Sequence, residues 1–328
     1  MGRNNKYRFS RLLLWGFLSM LLFSCAGNVS ERKDFPPAER LTAEKIPLHE
    51  IFRAGELTTK GNKLIISSYR TDTLLYFYSL PNLKLQASGA ISGGGPGEYP
   101  QEHLVFCSSP SDTLLVWDIM LNLRKVYIDS TGDVHSENAF NLGRIELFNN
   151  IHICRDSIMV YFDTDNLEIK KRNLSDNALL GSIKFEKENH RDFFLYSNRG
   201  AVMANDSAIV YTYFFKDRID IFDLETLKLK KSILGPGEPE IISGDLKNSK
   251  AFTVNTHAGK KYFYTTYEKS KDRKEFVLRV HNYNGNPVAE YSFDIFPHQY
   301  TIDEENGYIY GYNSNFENYF LRYKINLP

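Results

Sequence analysis

The chain has 328 residues, with 40 basic and 40 acidic side chains, and 42% of its residues are hydrophobic. That length and composition are those of a folded protein with one large domain or two ordinary ones, and they exclude global disorder. Three cysteines are too few for a disulfide scaffold of this size, and the balanced charge argues against a nucleic-acid binder, which normally carries a basic excess.

The first 24 residues have the pattern of a secretory signal. The first eleven carry four basic side chains and no acidic one, and an apolar run follows from Leu12 to Phe23. Those twelve residues would span only about 18 Å as a helix, which is less than the roughly 30 Å of a bilayer's hydrocarbon core. The pattern therefore predicts an export signal over residues 1–24 rather than a transmembrane helix.

The end of this signal, Leu22-Phe23-Ser24-Cys25, resembles the lipobox of bacterial lipoproteins. In that family the cysteine thiol is diacylglycerated, the bond before it is cut, and the new amino terminus is usually acylated as well, for example with palmitate. The resemblance implies a stable lipid anchor on Cys25, since two or three acyl chains hold a protein on a membrane. Phe23 departs from the small or aliphatic residue usual at its position, and the alternative is an ordinary secretory signal with a fortuitous cysteine.

Removal of the signal changes the charge of the remaining chain. Residues 1–24 hold four basic groups and no acidic ones, so the mature chain has 36 basic and 40 acidic groups and a net charge of −4. A mildly acidic body makes binding to nucleic acid less favourable still. Residues 26–45 are polar and contain Pro36-Pro37, and we interpret them, with Cys25, as a flexible tether between the lipid and the folded body.

Beyond residue 45 the sequence consists of short runs rich in β-branched and aromatic residues, which are typical of strands. The runs recur at intervals of 44 to 54 residues, with matching positions at Leu64, Leu114, Ile158, Ala208, Tyr262 and Tyr308. A recurrence of about 40–50 residues with several strands in each unit is typical of a β-propeller. The sequence predicts an all-β fold, a six-bladed β-propeller of four-stranded blades over residues 46–328.

The last of the six units supplies only three strands. Its missing outer strand is predicted at Ile46–Phe52, so that an N-terminal strand completes the last blade and closes the ring. Pro47 is compatible with this position, because a proline is tolerated at the start of an edge strand.

A glycine-rich string follows the first unit, Gly93-Gly94-Gly95-Pro96-Gly97-Glu98-Tyr99, and its Gly-Pro-Gly-Glu element recurs at residues 235–238. Six repeats behind a lipobox, together with this element, resemble the bacterial six-bladed propeller lipoproteins of the TolB-like superfamily, which are similar to NHL-repeat propellers. The resemblance covers nearly all of residues 46–328. It implies the fold and not an activity, because most members of that family have no assigned biochemical activity.

No local motif marks a catalytic centre, and we predict neither a catalytic residue nor a cofactor. Glu98 and Glu238 follow the same turn in two blades and are candidates for contacting a ligand at the end of the central channel; the alternative is a carboxylate that bonds local backbone amides. His103 and His152 lie near the starts of the innermost strands of consecutive blades and are candidates for the same role. None of the eight histidines has the spacing of a zinc site, so no metal ligand is assigned.

Two further features concern thiols and loops. Cys107 and Cys154 lie inside apolar runs and are predicted to be buried free thiols, while an envelope compartment would permit a disulfide. The loop at residues 184–199 is either a partner contact or the start of an inner strand, and residues 267–275 are predicted to form a solvated hairpin tip.

The sequence thus predicts a cell-envelope lipoprotein, attached at the outer membrane, that acts as a non-catalytic binding or scaffold propeller for a protein or glycan partner and not for nucleic acid. The alternative is a metal-dependent hydrolase or lyase with its site at the mouth of the central channel. Such sites draw acids, asparagines and histidines from distant positions and leave no local motif. Display on the periplasmic or the outer surface stays open.

Overall fold

A computed structural model describes residues 29–50, 53–69, 71–95, 97–99, 104–109, 112–118, 122–141, 148–164, 166–185, 198–237, 249–270, 275–316 and 319–328. Within these ranges every regular element is a β-strand. No helix in the described ranges is long and apolar enough to cross a membrane. Cys25 and the export signal lie outside the described residues, so both stay predictions.

Three short strands come first: β1 (Val29–Glu31), β2 (Glu39–Leu41) and β3 (Glu44–Pro47). Blade 1 contains β4 (Ala54–Lys60), β5 (Lys63–Ser68), β6 (Thr73–Ser79) and β7 (Lys84–Ile91). Blade 2 contains β8 (Val105–Cys107), β9 (Leu114–Trp117), β10 (Asn122–Ile128) and β11 (Val134–Asn141). Blade 3 contains β12 (Phe148–Cys154), β13 (Ile158–Asp163), β14 (Glu168–Asn173) and β15 (Leu179–Lys184).

Blade 4 contains β16 (Gly200–Ala204), β17 (Ala208–Tyr213), β18 (Arg218–Asp223) and β19 (Leu229–Leu234). Blade 5 contains β20 (Thr253–Ala258), β21 (Tyr262–Glu268), β22 (Phe276–Asn282) and β23 (Pro287–Phe293). Blade 6 contains β24 (Gln299–Asp303), β25 (Tyr308–Tyr312) and β26 (Tyr319–Lys324), and β3 is its fourth strand.

These six sheets form the predicted six-bladed propeller. The four strands of each blade pair antiparallel in sequence order, and the first strands of all six blades surround a central channel. The positions that matched in the sequence, from Leu64 in β5 to Tyr308 in β25, lie at or one residue inside the start of the second strand of every blade. The prediction of an all-β fold with six four-stranded blades is confirmed.

An N-terminal strand closes the ring, as predicted. β3 pairs antiparallel with β26, from Glu44 opposite Arg322 to Pro47 opposite Tyr319. The strand begins two residues before the predicted Ile46, and Pro47 is its last residue instead of one of its first. The Arg322 guanidinium donates to both Glu44 carboxylate oxygens, at 2.9 and 2.7 Å, and so ties the strand to the edge of the blade.

Residues 29–45 differ from the flexible tether that the sequence suggested. β1 pairs in parallel with β19 as a fifth strand of blade 4, and β2 pairs in parallel with β23 as a fifth strand of blade 5. Residues 29–47, which we call the N-terminal strap, therefore run along the outer edges of blades 4, 5 and 6 in turn. The polar composition that indicated a tether also suits a strand on an exposed sheet edge, where backbone groups pair and side chains face water.

Side-chain contacts also hold the part of the strap between β1 and β2 against the propeller. Arg32 forms an ion pair with Asp217, and Arg32 Nη2 donates to Asp217 Oδ2 at 3.2 Å. The Asp217 carboxylate also accepts hydrogen bonds from the Gly237 N–H and the Tyr267 hydroxyl, both at 3.2 Å. The ring of Phe35 packs edge-on against His281, with 5.0 Å between ring centroids. The strap is thus held by contacts to two blades.

The hydrophobic core is divided into six clusters, and each lies where two neighbouring blades meet. Between blades 6 and 1, for example, Tyr310 and Phe320 pack with Leu64 and Tyr78. Aromatic side chains of the last blade therefore pack between blades. Cys107 and Cys154 belong to such clusters as buried free thiols, which confirms that prediction.

Candidate ligand site in the central channel

A cavity of about 560 Å³ occupies the centre of the ring. All six inner strands, β4, β8, β12, β16, β20 and β24, contribute to its lining. Residues that follow the inner strands also line it, among them Gly61, Asn205 and Lys260, so its mouth lies at the end where those strands finish. The volume lies within the roughly 300–1,000 Å³ of small-molecule sites.

Glu56 lies on β4 and lines the channel. Its Oε2 accepts a hydrogen bond from the Phe106 N–H of blade 2 at 2.7 Å, and its own N–H donates to Ser67 Oγ at 2.7 Å. Burial raises the pKa of the Glu56 carboxyl to about 7, and the bond from Phe106 opposes that shift in part. Near neutral pH this carboxyl is therefore present in both forms, and it can donate or accept a hydrogen bond.

Lys60 shares a face of β4 with Glu56, because side chains four positions apart on a strand point the same way. The Lys60 side chain is buried, and its Nζ donates to the Ser109 carbonyl of blade 2 at 2.5 Å. Burial lowers the pKa of Lys60 to about 8, and the nearby Asp112 carboxylate opposes that shift. The ammonium therefore stays largely charged at neutral pH, beside a carboxylate of opposite sign.

Two histidines supply neutral imidazoles to the channel. His152 on β12 and His257 on β20 both line the cavity. His152 Nε2 lies 3.0 Å from the Val202 carbonyl of blade 4, and its Nδ1 is buried without a hydrogen-bond partner. Burial lowers the pKa of each ring to about 4, and His152 adds a smaller lowering effect on the pKa of His257. Both rings are therefore uncharged at neutral pH. The His152 Nε2–H donates to the Val202 carbonyl, which leaves Nδ1 as an acceptor, whereas the His257 ring has one donor and one acceptor nitrogen.

Charges at the mouth are balanced. Lys260 Nζ lies 2.9 Å from Glu305 Oε1 in an exposed ion pair between blades 5 and 6. Glu304 has a structural role, because its carboxylate accepts bonds from the N–H groups of Lys261 and Tyr262, at 3.1 and 3.2 Å. The mouth thus carries ionic groups of both signs and no uniform field.

The candidate residues predicted from sequence lie in different places. His152 lies in the channel lining, but it is the fifth of the seven residues of β12 and does not lie near the start of that strand as predicted. Glu98 is not part of that lining; its Oε2 accepts a bond from the Gly95 N–H at 2.6 Å, which is the local-backbone arrangement that the sequence left open. Glu238 and His103 lie outside the described residues, so nothing is added to their predictions.

Sequence reasoning missed Glu56, Lys60 and His257. They lie in inner strands, directly before the matched positions that open the second strands of blades 1 and 5. The sequence could have identified them as polar residues inside the inner strand, which is the strand that precedes each matched position. In blade 3 that reasoning did select His152.

The two longer loops are described only in part. Residues 186–197 of the first loop lie outside the described residues. In the second, the Lys269 N–H donates to the Glu275 carbonyl at 2.9 Å and closes the β21–β22 hairpin, although residues 271–274 are outside the described ranges.

Among the side chains that the structure describes, no group of three or more His, Cys, Asp or Glu residues is arranged to hold a metal ion.

Comparisons with known proteins agree on the fold alone. No family model and no curated protein matches the sequence. Among solved structures, a Bacteroides fragilis protein named as a presumed exported protein superimposes with a TM-score of 0.56 at 12% identity, over 91% of this chain and 99% of the other. A streptogramin B lyase superimposes with a TM-score of 0.51 at 11% identity, over 88% of this chain and 98% of the other. Both likenesses support the β-propeller fold.

Proposed function

We propose that this chain is a cell-envelope lipoprotein of the TolB-like or NHL-like kind, whose propeller binds a partner without catalysis and takes a neutral part of that partner into the central channel. The partner class that fits best is a glycan. The observation that carries this proposal is the cavity of about 560 Å³, which is lined by residues of all six inner strands and includes the polar side chains of Glu56, His152 and His257. The lipobox at Cys25 supplies the attachment, to the outer membrane by preference.

Hydrogen-bonding capacity supports a glycan. The imidazoles of His152 and His257 are neutral at pH 7 because their pKa values are lowered to about 4. His152 offers its Nδ1 as an acceptor, since its N–H is bonded to the Val202 carbonyl, and the His257 ring has both a donor and an acceptor. The Glu56 carboxyl, with its pKa raised to about 7, likewise offers both functions. Sugar hydroxyls donate and accept as well, so a hydroxyl-rich segment matches this lining.

Charge disfavours an anionic ligand. Lys60 lies beside Asp112, and Lys260 is paired with Glu305, so the cations near the mouth are offset by carboxylates. A site for phosphate or nucleic acid would present unbalanced cationic groups or converging backbone N–H donors instead. The proposal also includes a protein partner that inserts an uncharged polar loop into the channel.

Calorimetric titration of the mature chain with envelope glycan fragments tests the channel. We expect Glu56→Gln and His257→Ala to weaken binding at least tenfold. Glu137→Gln and His135→Ala make the same chemical changes on the outer strand β11, away from the channel lining, and should leave the affinity unchanged. Equal effects of the channel and control variants would contradict the channel as the site.

Fractionation of cells tests the anchor separately. The wild-type protein should partition with the outer membrane, and a Cys25→Ser variant should move to the soluble fraction. Retention of that variant in the membrane would contradict the lipid anchor. Metal analysis of the same material tests the alternative hydrolase or lyase: a stoichiometric divalent cation that is lost in His152→Ala would favour it over the binding module.

A further inference from the structure

We infer that the outer edge of blades 3 and 4 is a membrane-contact surface that lies against the phospholipid bilayer. This inference rests on the proposed lipid at Cys25. It adds which side of the disc meets the membrane, through an apolar edge patch defined by Val29, Leu179, Leu180 and Leu229.

Exposed apolar side chains are concentrated at this edge. The described residues include nine exposed large hydrophobic side chains, and five of them, the four patch residues and Leu234, lie on the outer strands of these two adjoining blades. Val29, Leu179 and Leu180 are 58%, 53% and 50% exposed. A cluster of this kind on a water-facing edge is unfavourable unless another apolar surface covers it.

The two blades bring the patch residues together. Leu227, two residues before Leu229, packs so closely on Gly181 that a Cβ at the glycine would lie 2.7 Å from Leu227 Cδ1. Gly181 is itself two residues after Leu179 on β15. Two residues of strand span only about 7 Å, so Leu179 and Leu229 each lie within about 7 Å along the chain of this contact between blades 3 and 4.

The strap brings the lipid to the same edge. Val29 lies opposite Ser232 on β19, and Cys25 is only four residues earlier in the chain. Four residues reach at most about 14 Å when fully extended, so an anchor on Cys25 holds this edge close to the bilayer. A free tether of some twenty residues would let the propeller adopt any orientation relative to the membrane. The docked strap restricts that orientation.

Strand direction indicates which face is near the membrane. Each inner strand ends at the channel mouth, so the fourth strand of each blade begins on the mouth side. β1 runs parallel to β19, and the chain therefore enters β1 from the mouth side. Leu179 and Leu229 are the first residues of β15 and β19 and lie on that side as well. The disc is thus tilted with its mouth face toward the bilayer.

Charge at the edge suits phospholipid headgroups. Lys228, Lys230 and Lys231 flank Leu229 in the sequence Leu227-Lys228-Leu229-Lys230-Lys231. Lys230 is paired with Asp223 at 2.9 Å, whereas Lys228 is exposed beside the patch. A lysine beside an apolar patch suits an anionic bilayer, whose headgroups attract basic side chains near the surface.

Fluorescence quenching in vesicles tests this orientation. The lipidated full-length mature protein is reconstituted on phosphatidylethanolamine and phosphatidylglycerol vesicles that contain a lipid-borne quencher, with one fluorophore on Leu180→Cys or on Ser88→Cys. Ser88 is exposed on β7, the outer strand of blade 1, which is opposite blade 4 in a ring of six. The native thiols do not compete, because Cys107 and Cys154 are buried and Cys25 is lipidated in the proposal.

We expect the fluorophore at position 180 to be quenched at least threefold more than that at position 88, and less so when phosphatidylglycerol is replaced by a neutral lipid. Flotation of the same vesicles measures whether the protein is attached to the membrane, and so tests the anchor alone. Protein that floats with vesicles but shows equal quenching at both positions would overturn the contact surface and leave the anchor standing. Protein that does not float would overturn both.

Discussion

The docked strap makes a sharp prediction at Arg32. Its guanidinium forms an ion pair with Asp217, and the two side chains are only 11% and 4% exposed. Substitution to alanine leaves the Asp217 carboxylate buried without its cation, and breaking such a pair costs about 3–5 kcal/mol. Because Asp217 keeps its bonds from the Gly237 N–H and the Tyr267 hydroxyl, we expect the lower end, about 3 kcal/mol in the free energy of unfolding.

Thermal unfolding measures this loss. With an unfolding entropy of about 2.1 cal/mol/K per residue over some 280 residues, a loss of about 3 kcal/mol lowers Tm by roughly 5 °C. Arg40→Ala is the matched control, because Arg40 lies on β2 in the same strap and is exposed. Equal Tm values for the two variants would refute the docked strap and restore the flexible tether.

Three further predictions concern buried titratable groups. The pKa of Glu56 is about 7 in the folded state against 4.5 for an ordinary glutamate, so folding stability falls as the pH rises from 4.5 through 7. In urea unfolding above pH 7, Glu56→Gln should be more stable than the wild type by at most about 3 kcal/mol. A difference between the two proteins that stays the same down to pH 4 would contradict this. Burial lowers the pKa of His281 to about 3, and both ring nitrogens lack hydrogen-bond partners while the ring stacks on Phe263 at 4.8 Å. His281→Phe should therefore keep the fold, and its stability should decline less than that of the wild type as the pH falls from 6.5 to 3. A pH profile of stability equal to that of the wild type would contradict this prediction. Cys107 and Cys154 are buried, and burial raises the pKa of both thiols, to about 12 for Cys154. A thiol reagent should therefore modify neither cysteine until denaturant is added. Rapid labelling of the native protein would contradict their burial.

The blades could be predicted from sequence because each repeats the same local chemistry. Asp112, Asp156 and Asp206 each lie shortly before a run of apolar residues that becomes the second strand of a blade. Alternation within these strands places the aromatic residues between blades. Ring closure was also predictable, since a three-stranded last unit leaves an edge that another strand must cover.

The strap could not be predicted, because its pairing depends on backbone groups. Val29–Glu31 and Glu39–Leu41 are only three residues long, and both pair in parallel with an outer strand far away in the chain. Neither carries the alternation of apolar residues that identifies a strand. Polar composition alone does not distinguish such an edge strand from a tether.

The channel could be predicted only in outline. A propeller implies an inner strand in each blade, and this placed His152 correctly near the channel. Glu56 and Lys60 have their pKa values shifted by burial, and their hydrogen-bond partners Phe106 and Ser109 lie about fifty residues away in the next blade. No local pattern in β4 carries that information, because burial and partners arise only when two blades pack.

The most direct test of the channel as the binding site is a crystal structure of the mature protein with its tightest-binding glycan fragment. The proposed function predicts ordered sugar density inside the ring, within hydrogen-bond distance of Glu56 and His257. Sugar density on the outer edge of a blade, with the channel filled by water alone, would contradict it.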